Sequence, residues 1–104
     1  MNHSNTFEVK TNYGKLHITI VKDKKNNIEN IFAEIGKSGT NIKGFIEGIC
    51  RLINLAIRNK INLKEIYKEL EGISSKEKPL FDGKVFKSIP DTFAYILKKY
   101  EDST

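Results

Sequence analysis

A long run of apolar residues at helical spacing, in the middle of the chain, is the sequence feature that most constrains the fold. Apolar side chains recur at intervals of three and four over residues 40–59, which predicts a helix. Leu52 and Leu55 widen its apolar surface beyond one stripe, so we expect this helix to lie between layers or to pack on a second chain. The residues of the repeat are Ile42, Phe45, Ile46, Ile49, Ile53, Ala56 and Ile57.

Two glycines, Gly44 and Gly48, lie four residues apart inside this predicted helix. Each destabilises a helix by about 1 kcal/mol relative to alanine. The simplest compensation is a close approach by the backbone of another helix or strand, and the alternative is that both glycines are merely tolerated. The first interpretation predicts an oligomer interface formed by Gly44, Gly48, Leu52 and Leu55.

Strand patterns fill the chain before the central helix. Residues 15–21 alternate between two faces, and residues 28–35 form the returning strand. A short strand at residues 7–9 precedes them, and the polar residues 1–5 are expected to fray. These segments predict an antiparallel hairpin or meander. The apolar face of its middle strand consists of Leu16, Ile18 and Ile20.

Two shorter amphipathic helices follow the central one. Asn62 and Glu65 have the spacing of a capping box at the start of the first, and Gly72 is placed to end it. Ser88 is placed to cap the last helix, where Asp91 reaches back or complements the helix dipole. The apolar faces of the two helices are Leu63, Ile66, Tyr67 and Leu70, then Phe93, Ile96, Leu97 and Tyr100.

Strands followed by helices predict an α+β fold, in which a small antiparallel sheet packs against the long central helix and the two shorter ones. A further short strand pair is expected at residues 80–81 and 85–86, across the Asp82–Gly83 turn. The length of 104 residues fits one domain. The predicted boundaries are 1–10 for a flexible N-terminus with a short strand, 11–100 for the domain and 101–104 for a tail.

The charge of the chain indicates what kind of partner it has. Its net charge is +5 and its pI is near 9.3, which favours anionic partners such as nucleotides, nucleic acid or acidic proteins. All but two of the 18 basic residues are lysines spread along the chain. Lysine on solvated faces is therefore the alternative explanation for the positive charge.

No segment of the sequence is typical of a membrane or secreted protein. No run approaches the roughly 18 apolar residues that a membrane helix needs, and the N-terminus lacks the basic start and apolar run of a signal peptide. Cys50 is the single cysteine, which excludes an internal disulfide and a multi-cysteine zinc site. We therefore expect a cytoplasmic protein with no metal, no cofactor and no membrane partner.

The candidate ligand site is the turn Gly36-Lys37-Ser38-Gly39-Thr40, which precedes the central helix. A helix N-terminus carries about half a positive charge, its free N–H groups can bind an anion, and Lys37 adds a full charge. The order of residues is not that of a P-loop, and a plain strand-to-helix turn is the alternative. Arg51 and Arg58, seven residues apart, are further candidates for phosphate binding. An ion pair of Arg51 with Glu47 across an oligomer interface is equally consistent with the sequence.

The titratable residues do not form a pattern typical of catalysis. His17 lies alone in a strand, opposite the apolar face, which is typical of a surface residue. Cys50 lies in an apolar run without an adjacent base and is expected in the core. We therefore predict that the protein is not an enzyme and has no catalytic or metal-binding residues.

Four segments together resemble a known family. In order they are "YGKLHITI", "IFAEIGKSGTNIKGFIEGICRLINLAIR", "INLKEIYKELEGI" and "DGKVFKSIPDTFAYIL", and they resemble the successive blocks of the TSCPD domain over residues 11–100. That domain occurs at the C-terminus of vitamin B12-dependent (class II) ribonucleotide reductases and as short stand-alone proteins. The resemblance implies no catalytic activity of its own.

The chain departs from the family where cysteines are expected. The naming motif reads Lys87-Ser88-Ile89-Pro90-Asp91, with isoleucine in place of its cysteine, and Ser74-Ser75 stands at a second position that often carries cysteine. A metal or redox role proposed for those cysteines is therefore absent here.

Two functions follow as hypotheses. The first is a non-enzymatic nucleotide-binding module, in a homo-oligomer, that holds a phosphate-bearing ligand such as a cyclic nucleotide at the helix start. A signal sensor or a phage sponge for immune nucleotides would have this form. The alternative is an accessory subunit that docks on a class II ribonucleotide reductase without a ligand of its own.

Overall fold

The computed structural model describes residues 3–36 and 41–103, which form five strands and three helices. The strands pair in the order β3-β2-β1-β4-β5, and all pairs are antiparallel. The predicted α+β class is confirmed. In chain order the elements are β1 His3–Thr11, β2 Gly14–Lys22, β3 Ile28–Ile35, α1 Asn41–Arg58, α2 Leu63–Leu70, β4 Leu80–Phe81, β5 Lys84–Val85 and α3 Ile89–Asp102.

The core lies between one face of the sheet and the helices. Alternation along β2 buries Leu16, Ile18 and Ile20 completely, as predicted, while His17 and Lys15 are exposed on the other face. Val9 of β1 and Ile31 and Ile35 of β3 are buried as well, and the helices contribute the remaining buried apolar side chains. These are Ile46, Cys50 and Ile53 of α1, Ile66 and Tyr67 of α2, and Ile89, Phe93, Ala94, Ile96 and Leu97 of α3.

The N-terminal part of the chain differs from the prediction. The sequence predicts fraying over residues 1–5 and only a short strand near Phe7, whereas β1 begins at His3 and occupies the middle of the sheet. His3 pairs with Lys22, and the register continues without a break to Thr11 opposite Gly14. The backbone makes these ladder hydrogen bonds, so the exposed polar side chains at the start of β1 do not prevent pairing.

The β4–β5 hairpin forms across the predicted turn. Asp82 and Gly83 both have left-handed backbone conformations, with φ of 58° and 72°, as a two-residue type I′ turn requires. Leu80 therefore pairs with Val85, and β5 lies one residue earlier than the predicted 85–86.

An amide side chain fixes α1 against the edge of the sheet. The Ile31 N–H donates to Asn54 Oδ1 at 2.8 Å, and Asn54 Nδ2 donates to the Ile31 carbonyl at 3.0 Å. Asn54 thus pairs with the outward edge of β3 much as a neighbouring strand would. The helix begins at Asn41 among the described residues, and the predicted first residue, Thr40, lies outside them.

The caps of the shorter helices only partly follow the prediction. Ser88 Oγ accepts a hydrogen bond from the Asp91 N–H, and Asp91 reaches back to accept from the Lys87 N–H, as expected. The capping box at Asn62 is wrong. Its carbonyl accepts from the Ile66 N–H, while its side chain makes no capping hydrogen bond.

The glycines of α1 have no close neighbour in the described part of the chain, apart from their own helix. A Cβ built on Gly44 or Gly48 would meet no atom of the described residues within 4 Å, apart from the local backbone of the helix. The expected close approach is therefore not made by any of the described helices or strands. None of the described helices is long and apolar enough to cross a membrane.

Candidate ligand cleft

The predicted glycine turn is described only at its first residue. Gly36 follows β3, and its N–H donates to the Lys15 carbonyl at 3.2 Å. Lys37, Ser38, Gly39 and Thr40 lie outside the described residues. Anion binding by this turn therefore stays a prediction.

The two arginines are far from the start of the helix. With a rise of about 1.5 Å per residue, Arg51 lies about 15 Å and Arg58 about 25 Å along α1 from Asn41. Arg51 pairs with Glu47 of its own helix at 2.9 Å, whereas one of the two sequence-based alternatives is a pair across an oligomer interface. Within one chain, a small ligand that touches Asn41 therefore cannot also touch Arg58.

The groove between β3 and α1 is the cavity nearest to Arg51, and its volume is about 670 Å³. Lys43 and Arg51 line it together with Glu34 and Glu47. Because the two positive and two negative side chains balance, this groove has no electrostatic preference for an anion.

A second cleft forms where the sheet extends beyond the helical layer. Alternation places Asn5 and Phe7 of β1, and Lys22 of β2, on the same face of the sheet as the core. The end of α3 faces them with Ile96, Lys99, Tyr100 and Ser103, which share one side of the helix because of their spacing of three and four. Asn26, Phe81 and Asp82 complete a cleft of about 400 Å³.

Aromatic rings supply much of the apolar surface of this cleft. Phe7 and Phe81 meet edge to face, with ring centroids 6.0 Å apart. The Tyr100 hydroxyl donates to the Asn26 carbonyl at 2.6 Å, which ties α3 to the turn between β2 and β3. Burial raises the pKa of Tyr100, so this hydroxyl remains a donor at neutral pH.

Two lysines stand beside these rings. Lys22 Nζ lies 6.0 Å from the centroid of the Tyr100 ring, and Lys99 Nζ lies 2.8 Å from Asp82 Oδ2. The hydrogen bond between Lys99 and Asp82 raises the pKa of Lys99 and lowers the pKa of Asp82, so both side chains are charged at neutral pH. With two lysines and one aspartate, the cleft carries an excess of one positive charge.

Sequence reasoning missed this cleft. The sequence predicts residues 80–81 as part of a short strand pair, Tyr100 on the apolar face of the last helix, and the lysines as a dispersed charge. One signal is present in the sequence. Lys22 continues the alternation of Ile18 and Ile20, which puts a charged side chain on the core face and indicates that the core ends before the end of β2. The partners of Lys22 come from distant parts of the chain, and no local pattern brings them together.

The other candidate residues lie where the sequence placed them. His17 is exposed and lies 3.3 Å from Glu8 Oε1, on the face of the sheet opposite the core. Cys50 is 4% exposed, and burial, with a smaller contribution from Glu47, raises its pKa to about 11. Within residues 3–36 and 41–103, no group of three or more His, Cys, Asp or Glu side chains is placed to hold a metal ion.

The segment Lys87–Asp91 is a helix-capping element. Ser88 caps α3, Ile89 is buried, and Asp91 also accepts from the Gly72 N–H at 2.8 Å, which joins the ends of two helices. This segment lies within residues 2–101, which match the model of the TSCPD domain. The chain belongs to the TSCPD domain family. Its family-naming motif here is structural, because its polar side chains satisfy backbone N–H groups.

Two further comparisons add no relative. Neither the search of curated proteins nor the search of solved structures gives a match to this chain. The TSCPD assignment therefore rests on the family model, which covers nearly the whole chain.

Proposed function

We propose that this TSCPD domain is a non-enzymatic binding module for a small nucleotide, held in the cleft between Lys22 and Lys99. The observation that carries the proposal is the combination of aromatic rings and two lysines in one cleft. A nucleotide presents a planar base and at least one phosphate, so it needs both kinds of side chain at once.

The size and lining of the cleft suit a small molecule. Its volume of about 400 Å³ falls within the roughly 300–1,000 Å³ typical of ligand pockets. Phe7, Phe81 and Tyr100 give it apolar surface, and Asn5 and Asn26 give it polar groups for orientation. Base–aromatic stacking contributes about 1–3 kcal/mol per base, enough to bind a nucleotide alongside a charge contact.

The charges of the cleft favour an anionic ligand, because one of its two lysines has no carboxylate partner among the described residues that line the cleft. Lys22 has no carboxylate beside it among the lining residues of β1 and β2, whereas Lys99 is already paired with Asp82. The ion pair between Lys99 and Asp82 is exposed, so it contributes little to stability. Lys99 can therefore leave Asp82 and pair with a phosphate instead. We therefore expect Lys22 to contact the phosphate first and Lys99 to turn from Asp82 when the ligand is bound.

The predicted glycine turn is the competing location for the same function. A helix N-terminus and Lys37 would hold phosphate there, and the exposed ring of Phe32, which lines the groove between β3 and α1, could stack on a base. The cleft between Lys22 and Lys99 is preferred because three aromatic rings and an excess of positive charge coincide in it.

The first experiment asks whether a ligand is present and where it binds. The purified protein is denatured, and the released small molecules are identified by mass spectrometry. Nucleoside mono-, di- and cyclic phosphates are then titrated while the melting temperature is measured. A ligand at 100 times its Kd stabilises the folded state by about 2.7 kcal/mol, which raises the melting temperature by several degrees.

Charge reversals then locate the site. Lys22→Glu and Lys99→Glu should each weaken nucleotide binding at least about tenfold, whereas the matched control Lys64→Glu, on α2, should leave it unchanged. If Lys37→Glu or Gly39→Pro abolishes binding while Lys22→Glu does not, the ligand lies at the glycine turn instead. If nothing is released and no nucleotide raises the melting temperature, the proposed function is wrong.

A further inference from the structure

An apolar stripe on the outer side of α1 is left uncovered by the described chain. Phe45, Leu52 and Leu55 are 70%, 68% and 48% exposed. With Gly48 they follow the alternating three- and four-residue spacing of a helix–helix seam. Single exposed apolar residues are ordinary, but a continuous stripe of them marks an interaction surface. We call Gly44, Phe45, Gly48, Leu52 and Leu55 the α1 outer face.

We propose that a second copy of this chain covers the α1 outer face, with the two α1 helices antiparallel about a twofold axis level with Ile49. In this arrangement a residue of one copy lies opposite the residue of the other copy for which the two residue numbers add up to about 98. Phe45 is then within one residue, about 1.5 Å along the axis, of the partner's Leu52. These two positions are seven residues apart in α1, so they lie on the same side of the stripe and meet across the axis.

The glycines fit the same register. Gly44 lies opposite the partner's Leu55, to within one residue along the axis. Residues 44 and 55 are eleven positions, or about three turns, apart, so they lie on the same side of the stripe. The space above Gly44 and Gly48 is free of described atoms. A leucine of the second copy can therefore occupy the space above Gly44 and Gly48. The close approach of the two backbones then compensates for the destabilising effect of glycine in a helix.

The charges beside the stripe identify the occupant as a second copy. Glu47 and Arg51 form an exposed pair on one flank of the α1 outer face. The antiparallel twofold places Glu47 level with the partner's Arg51, and Arg51 level with the partner's Glu47. In a parallel pair each of these charges would instead face the opposite flank of the partner helix, away from its counterpart. The face is thus complementary to itself in one orientation, as a twofold interface requires.

Dimer formation does not depend on the proposed nucleotide site. No residue of α1 lines the cleft between Lys22 and Lys99. A ligand-free protein should therefore dimerise, and a monomeric variant should still bind nucleotide.

The solution mass is the first test. Light scattering coupled to size-exclusion chromatography should give about 24 kDa, twice the 11.9 kDa of one chain. Leu52→Glu should raise the dimer dissociation constant at least about tenfold, because it buries an unpaired carboxylate. Glu47→Arg alone should also weaken the dimer, and Glu47→Arg with Arg51→Glu should restore it. The control Glu69→Lys, on the exposed side of α2, should have no effect.

Disulfide cross-linking tests the orientation. In a Cys50→Ala background, a mixture of Phe45→Cys and Leu52→Cys chains should oxidise mainly to the 45–52 product. A monomeric wild-type protein, or a preference for 45–45 and 52–52 products, would overturn the proposal. So would stoichiometric capture of a ribonucleotide reductase subunit that is lost with Leu52→Glu, because the α1 outer face would then belong to that partner.

Discussion

Replacing Asn54 with alanine should destabilise the protein more than any other exposed or half-buried amide substitution. Asn54 makes two hydrogen bonds to the backbone of Ile31, at 2.8 and 3.0 Å, and the side chain of Ile31 is fully buried. A hydrogen bond contributes about 1 kcal/mol net, and a buried group left without a partner costs about 1–3 kcal/mol. Water can reach part of the β3 edge, so we expect a loss of about 2–3 kcal/mol for the two groups together.

That loss is a large part of the roughly 5–15 kcal/mol by which a domain of this kind is stable. It should lower the melting temperature by about 8–24 °C, since 1 kcal/mol corresponds to about 4–8 °C in domains near this size. Urea unfolding at constant m-value gives the free energy directly. An m-value that changes with the substitution would indicate loss of two-state behaviour.

Asn59→Ala is the matched control for this measurement. Asn59 lies at the end of α1 and donates one exposed hydrogen bond to the Leu55 carbonyl at 2.8 Å, so its loss should cost no more than about 0.5 kcal/mol. If Asn54→Ala and Asn59→Ala are equally stable, the amide of Asn54 does not hold α1 against the sheet, and the reasoning is refuted.

Three further predictions concern the core thiol, the α3 cap and the cleft. The pKa of Cys50 in the folded protein is about 11, above its ordinary value of 9.0. The wild type should therefore lose stability relative to Cys50→Ala as the pH rises from about 9 to about 11. Urea unfolding of both proteins across that pH range measures the difference. Ser88→Ala should lower the free energy of unfolding by about 1–2 kcal/mol by urea unfolding, because an N-cap is lost. Asp82→Asn should tighten nucleotide binding severalfold in a calorimetric titration, because it frees Lys99 from its carboxylate; weaker binding would place the phosphate elsewhere.

The regular elements follow from local patterns in the sequence. Alternation predicts the buried face of β2 because each side chain of a strand points away from its neighbours, and three-four spacing predicts α1 and α3. The β4–β5 turn follows from Asp82–Gly83, since few other pairs accept two left-handed residues.

The remaining features depend on contacts between distant parts of the chain. The start of β1 has polar side chains and pairs through its backbone, so the sequence pattern there does not predict a strand. Lys22 and Lys99 are 77 positions apart, and only the packing of α3 on the sheet brings their side chains into one cleft. No atom of residues 3–36 or 41–103 fills the space at Gly44 outside its own helix, and the occupant that we propose is a second copy.

The placement of the cleft and of the α1 outer face on different elements leaves both surfaces available together. A dimer of this arrangement would carry two ligand clefts, neither of which includes an α1 residue. We therefore expect the dimer dissociation constant to be the same with and without nucleotide. A large change would show that the two surfaces are coupled.

The most direct test of the account is to map a bound nucleotide by NMR. The backbone amide resonances of the labelled protein are followed while the nucleotide with the largest effect on melting temperature is added. The account predicts that the largest shift changes fall around Lys22, Asn26 and residues 99–103, and that they vanish in Lys22→Glu. Changes confined to residues 36–41, or no changes with any nucleotide, would contradict it.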